Sequence, residues 1–146
     1  MSELEKLIAR LCPNGVEYKT IEELCLVFTG GEAPEDSIKS KIPTDDYIYP
    51  IYSNGLGENA LWGFSKNYKI KDDAITFSSI GTIGCPVLRK GKFTPIIRLK
   101  VIMPKNNNLL NISFLKYVLE IASFSKNNSS LPNVNSKMIS FILIMN

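Results

Sequence analysis

The stretch Ala74-Ile75-Thr76-Phe77-Ser78-Ser79-Ile80-Gly81-Thr82-Ile83-Gly84 is an apolar, β-prone run that leads into a turn bracketed by two glycines. Residues 74–78 have the texture of a buried strand: short, without strict alternation, and preceded by Asp72-Asp73. Gly81 and Gly84 serve the turn, where a missing Cβ frees the backbone. Downstream, residues 85–88 form a further strand, and Arg89-Lys90-Gly91-Lys92 reads as a basic hairpin tip. Residues 94–103 read as one long, largely apolar strand with Arg98 and Lys100 in alternation. Pro95 lies near its start, where a missing N–H is tolerated.

Beyond an Asn106-Asn107-Asn108 loop, Ile112, Leu115, Val118, Leu119 and Ala122 recur at helical spacing, with Asn111 or Ser113 as cap. Residues 123–135 are polar and irregular, and 138–145 form a last apolar strand. Upstream, residues 60–64 and 47–52 are short strands separated by the turn Ser53-Asn54-Gly55. Residues 32–46 are a long polar loop, a length often tied to function. Residues 25–29 are β-prone and end at Gly30-Gly31. Thr20-Ile21-Glu22-Glu23 is a capping box opening a short helix. Ser2 caps an amphipathic helix carrying Leu4, Leu7, Ile8 and Leu11, which Pro13-Asn14-Gly15 ends before a brief strand at 16–18. The class is α+β: a curved, mostly antiparallel sheet of short strands with a few flanking helices.

Composition narrows the chemistry. The 146 residues suit one domain, and 17 basic against 14 acidic side chains give a mild +3, compatible with a polyanionic partner but not requiring one. Without histidine, the commonest general base is missing. Cys12, Cys25 and Cys85 form no C-x-x-C pair, so a zinc ribbon is excluded, and three free thiols fit a reducing cytoplasm. No secretory signal opens the chain and no apolar run could span a bilayer, so a cytoplasmic location without membrane contact is expected. Asp45-Asp46 and Asp72-Asp73 are adjacent pairs whose side chains diverge on extended backbone, unsuited to sharing Mg²⁺. No P-loop is present, and Gly55-Leu56-Gly57 lacks the rest of a dinucleotide fingerprint. Ser113–Lys116 and Ser123–Lys126 have S-x-x-K spacing without its companion motifs. The expectation is no catalysis, no metal and no cofactor.

The order of segments carries more. Pro13-Asn14-Gly15-Val16-Glu17-Tyr18-Lys19-Thr20-Ile21-Glu22-Glu23-Leu24, then Phe28-Thr29-Gly30-Gly31, resembles the opening of a target-recognition domain in type I restriction-modification specificity subunits. Tyr49-Pro50-Ile51-Tyr52-Ser53-Asn54-Gly55 is similar to that family's Pro-containing strand and turn, and 74–84 to its apolar strand with a Gly-x-x-Gly turn. Leu131-Pro132-Asn133-Val134-Asn135 before 138–144 resembles its closing element. A complete subunit of that family has two such domains joined by long helices. The resemblance therefore implies a single recognition domain over residues 1–146, lacking those helices. It also implies double-stranded DNA as partner, methyltransferase and restriction subunits that do the chemistry, and possible pairing with a second recognition domain. The alternative is an assembly or decoy module that binds modification subunits without reading DNA.

Under the DNA reading, Lys39, Lys41, Lys66, Lys69, Arg89, Lys90 and Lys92 are candidate phosphate contacts, although cations on loops are ordinarily just solvated. Ser53, Asn54, Ser79, Thr82, Asn133 and Asn135 are candidate hydrogen-bonding groups for bases or backbone. Asn54, before a glycine, is first a turn former. Trp62, Tyr49 and Tyr52 can stack or wedge, but aromatics on strands are more often core. Arg98 faces DNA or pairs with an acid.

Overall fold

The computed structural model describes residues 2–11, 13, 19, 21–78 and 86–124. In chain order the elements are α1 (Glu3–Leu11), α2 (Ile21–Leu24), β1 (Cys25–Thr29), β2 (Ser37–Ile38), β3 (Tyr49–Tyr52), a 3-10 turn (Gly57–Ala60), β4 (Leu61–Ser65), β5 (Ala74–Phe77), β6 (Val87–Arg89), β7 (Thr94–Pro95), β8 (Lys100–Pro104) and α3 (Ile112–Phe124). The α+β class holds, with the strands among the described residues divided between two four-stranded sheets, ordered β1-β8-β5-β6 and β2-β4-β3-β7. Every ladder is antiparallel except β3 with β7.

β5 explains the layering. All four of its residues are buried, so it shows no polar–apolar alternation. Successive side chains still point to opposite faces. Ile75 and Phe77 join Ile21, Leu24, Cys25, Ile102, Leu110, Leu115 and Leu119 in one cluster, under α2 and α3. Ala74 joins Ile70, Phe93 and Val101 in a second cluster, with Tyr52 of β3 packed against it. The register Ile75↔Ile102 and Thr76↔Val101 sends the two residues of each pair to the same side. Helices thus cover one face of the first sheet, and residues flanking the second sheet cover the other.

The helix ends form as their side chains dictate. Ser2 Oγ accepts the Glu5 N–H at 3.1 Å while the Glu5 carboxylate accepts the Ser2 N–H at 2.6 Å, a reciprocal capping box. Of the two candidate caps for α3, Asn111 serves: its Oδ1 accepts the N–H groups of Ser113 (2.8 Å) and Phe114 (3.2 Å). The polar loop at 32–46 contributes the two-residue strand β2 at an edge of the second sheet. The expected strand at 16–18, the Gly81–Gly84 turn and the last strand at 138–145 lie outside the described residues.

Two expectations are corrected. Residues 94–103 are not one strand: β7 lies in the second sheet and β8 in the first. Between them the Leu99 N–H bonds the Ile96 carbonyl at 3.2 Å, and Ile97 and Arg98 both have positive φ, 50° and 58°. No glycine, proline or asparagine marks that turn, so an apolar run reads as continuous. Left-handed conformations of this kind cost about 1–3 kcal/mol each, and a β-branched residue is the worst suited to them. Likewise Arg89–Lys92 is not a hairpin tip, because β6 and β7 belong to different sheets; β6 pairs back with β5. The segment is a crossover, held where the Lys92 and Phe93 N–H groups bond the Ile70 carbonyl at 2.8 and 3.1 Å.

Cys25 opens β1 fully inside the helix-covered cluster. Burial pushes its thiol up to about 11, with the Lys105 ammonium opposing weakly. Since the thiolate is the nucleophile, Cys25 is expected to resist alkylation at pH 8 in the native chain and to react once the chain is unfolded in urea. Peptide mass spectrometry reads this, and rapid native labelling of Cys25 would contradict it. The unfolded thiol ionises from about pH 9 and the folded one does not, so this group removes stability as pH rises from 9 towards 11.

Candidate nucleic-acid interface

The start of β4 and the end of β3 build one corner of the molecule. Trp62, on β4, is half-buried and separates two clefts. The smaller, about 280 Å³, is lined by Lys39, Ser40, Lys41, Asn59, Leu61 and Trp62. The larger, about 520 Å³, runs from Gly30, Gly31, Glu32 and Ala33 past Trp62 to Ile96, Ile97 and Arg98. β2 pairing on β4 brings Lys39 and Lys41 here from the polar loop. The Lys41 ammonium donates to the carbonyls of Glu58 (3.0 Å) and Leu61 (2.6 Å), so it also closes the 3-10 turn.

Beneath the larger cleft, the Asn54 amide donates to the Ile97 carbonyl, and the Asn54 carbonyl accepts the Ser78 hydroxyl at 2.6 Å. Asn54 thus ties the 53–55 turn to the strained turn at 97–98. The Ser53 N–H bonds the Ala60 carbonyl at 2.8 Å, with its hydroxyl at 3.5 Å from the same oxygen.

Three of the other candidate cations lie over tyrosine rings. Lys66 sits 5.0 Å over the Tyr47 ring and Lys92 6.0 Å over Tyr68, whose edge meets Tyr49 at 5.0 Å. Arg89 lies 4.0 Å over Tyr52 and donates to the Thr76 hydroxyl at 3.2 Å. Burial shifts the Arg89 guanidinium downward, but a guanidinium remains charged. Lys69 is exposed, its N–H bonded to the Phe93 carbonyl and the Thr94 hydroxyl. Lys90 pairs with Asp73 at 3.3 Å. Asp73 accepts the Gly91 N–H at 2.8 Å, which with Lys90 holds its carboxyl below the usual range despite some desolvation. One acidic group therefore covers part of the Arg89–Lys92 segment, although the lysine is 82% exposed and such pairs are weak.

The structure thus brings Lys39 and Lys41 to one cleft at Trp62 and Arg98 to the other, with Asn54 bonded to Ile97 of the second and Ser53 bonded to Ala60. Lys66, Arg89 and Lys92 lie over tyrosine rings, Arg89 on Tyr52 beside Ser53, and Lys90 pairs with Asp73. Ser79, Thr82, Asn133 and Asn135 lie outside the described residues. Sequence reasoning missed Ile97 and Asn59, since an isoleucine in an apolar run and an asparagine in a loop carry no local signal. The cation-on-tyrosine pairs at Tyr47 and Tyr68 were also not anticipated. Among the described residues no group of acids, cysteines or histidines is set to hold a metal ion, and no helix is long and apolar enough to cross a membrane.

Comparison with known proteins shows the family of this chain. Residues 13–145 match the family model described as the type I restriction modification DNA specificity domain. Two curated Mycoplasma pneumoniae proteins named as type I specificity subunits are similar. S.MpnORF507P is 35% identical over 119 residues, 80% of this chain and 32% of its own length. S.MpnORF89P is 34% identical over 113 residues, 77% of this chain and 32% of its own length. The chain therefore spans about a third of these relatives. Its fold is similar to the HsdS subunit from Thermoanaerobacter tengcongensis, with TM-score 0.64, 12% identity, and coverage of 96% of this chain and 38% of that one. It is also similar to the type I restriction-modification S subunit from M. genitalium, with TM-score 0.53, 15% identity, and coverage of 90% and 32%. With a family model spanning nearly its whole length and curated relatives above 30% identity, this chain belongs to the type I restriction-modification DNA specificity domain family.

Proposed function

We propose that the chain is a single recognition domain that reads a short stretch of duplex DNA. In this reading it supplies half-site recognition in a type I restriction-modification complex. It binds without catalysing; methyltransferase and restriction subunits carry out the chemistry, and a second recognition domain completes the target. The observation that supports this best is the corner at Trp62, where Lys39 and Lys41 line one cleft and Arg98 the next. Cations grip phosphates without reading sequence, while neighbouring polar and apolar groups meet base edges. Each engaged cation adds about 0.9 to the magnitude of the salt slope.

The test is recovery of bound duplexes from a random pool at two salt concentrations, with modification subunits added and omitted. A shared sequence motif among the recovered duplexes is expected, with weaker binding at higher salt. Lys39→Ala should weaken binding to all duplexes alike and flatten the salt slope by about 0.9. A pool with no enrichment in any arm would overturn the reading. One observation favours the assembly reading: Leu4, Leu7 and Leu11 form an exposed stripe on α1, 64%, 47% and 48% accessible. Retention on modification subunits with no preference among duplexes would support that second reading.

A further inference from the structure

We infer that Ile97 is an apolar wedge that enters a base step of the bound duplex and bends it, an inference that rests on the DNA-reading function proposed above. Ile97 breaks a local rule of backbone conformation and is exposed as well. It is a β-branched residue at φ 50°, followed by Arg98 at φ 58°, in a turn that glycine or asparagine would fill without strain. It also leaves 51% of its surface in water, although it is strongly apolar, and it belongs to neither buried cluster. Glycine or asparagine would hold the same fold with less strain, and such local conflicts gather at functional sites.

The backbone around it is locked. The Ile97 N–H bonds the Gly31 carbonyl at 2.7 Å, and the Arg98 N–H bonds the Gly30 carbonyl at 3.0 Å. The Gly30 N–H bonds the Leu99 carbonyl at 2.8 Å, and the Asn54 amide holds the Ile97 carbonyl. A wedge must be rigid, because a loose tip folds back against its own domain instead of parting stacked bases. Ile97 lines the larger cleft with Arg98 and Glu32, and Lys39 and Lys41 line the cleft on the other side of Trp62, so cations are available near an opened step while Glu32 opposes them. Apolar side chains inserted this way kink duplexes by about 20–90°.

The test uses the full chain and a duplex recovered from the pool selection, dye-labelled at both ends, and a second copy with 2-aminopurine in the bound site. Wild type should raise energy transfer between the ends and brighten one 2-aminopurine step. Ile97→Ala keeps a side chain at the strained position but removes the wedge; Ile97→Gly removes both wedge and strain. Both should lose the bend and the unstacking signal and bind about tenfold more weakly, from the apolar burial forgone. Ile97→Gly alone should melt at a higher temperature than wild type, which separates lost insertion from lost fold. Sequence-dependent binding to a straight, fully stacked duplex would overturn the wedge and leave the reading of DNA standing. Unchanged bending with weaker retention on a modification subunit would assign the turn to a protein contact and also overturn it. Absence of any preference among duplexes would overturn both.

Discussion

Replacing Phe93 with alanine is expected to destabilise the domain by about 3–5 kcal/mol, the usual cost of truncating a buried phenylalanine. Phe93 has no exposed surface and packs with Ile70, Ala74 and Val101 in the cluster between the sheets. Its ring meets Tyr52 edge-on at 5.7 Å and 65°, so the truncation also strips a partner from the tyrosine that Arg89 overlies. The backbone of Lys92 and Phe93 is tied to Ile70, which limits collapse into the void. Domains of this size are stable by only about 5–15 kcal/mol. A melting temperature lower by roughly 10–20 °C is therefore expected. Phe93→Leu, which keeps most of the volume, should cost much less. A melt of Phe93→Ala within a few degrees of wild type would mean that this cluster does not join the two sheets.

Gly30→Ala should be the second large effect, and it should act on the fold and the candidate interface together. A Cβ at Gly30 would lie 2.7 Å from the Ile96 nitrogen and the Pro95 carbonyl carbon, and 2.8 Å from the Pro95 oxygen. All three are backbone atoms, so no side chain can rotate away. The chains must part where Gly30 exchanges hydrogen bonds with Arg98 and Leu99, the seam between the two sheets. Overpacking of this kind costs about 1–3 kcal/mol. The turn at Ile97 and Arg98 would shift with the seam, so DNA affinity should fall as well. Gly31→Ala is the control, because a Cβ there meets nothing within 4 Å. It should stay within about 0.5 kcal/mol of wild type. Urea unfolding of the pair decides the matter; equal effects would show that close approach at Gly30 is not the cause.

Elements whose signals are local could be read from the chain's residues alone. β1 and β5 follow from short β-prone runs, α3 from apolar residues three and four apart, the start of α1 from Ser2, and that of α3 to within the two candidates Asn111 and Ser113. The loop cations Lys39 and Lys41 were legible as candidates because lysines in a long polar loop stand out. What they stand beside was not legible: β2 carries them to Trp62 by pairing with β4, a contact made far along the chain. That residues 94–104 switch sheets depends on long-range contacts. That switch is held by bonds to Gly30 and Gly31, and by Asn54, 43 residues from Ile97. A local pattern records which backbone shape each residue prefers. It cannot record where distant hydrogen bonds and a sheet-to-sheet seam make a disfavoured shape, such as isoleucine at positive φ, the lower in free energy.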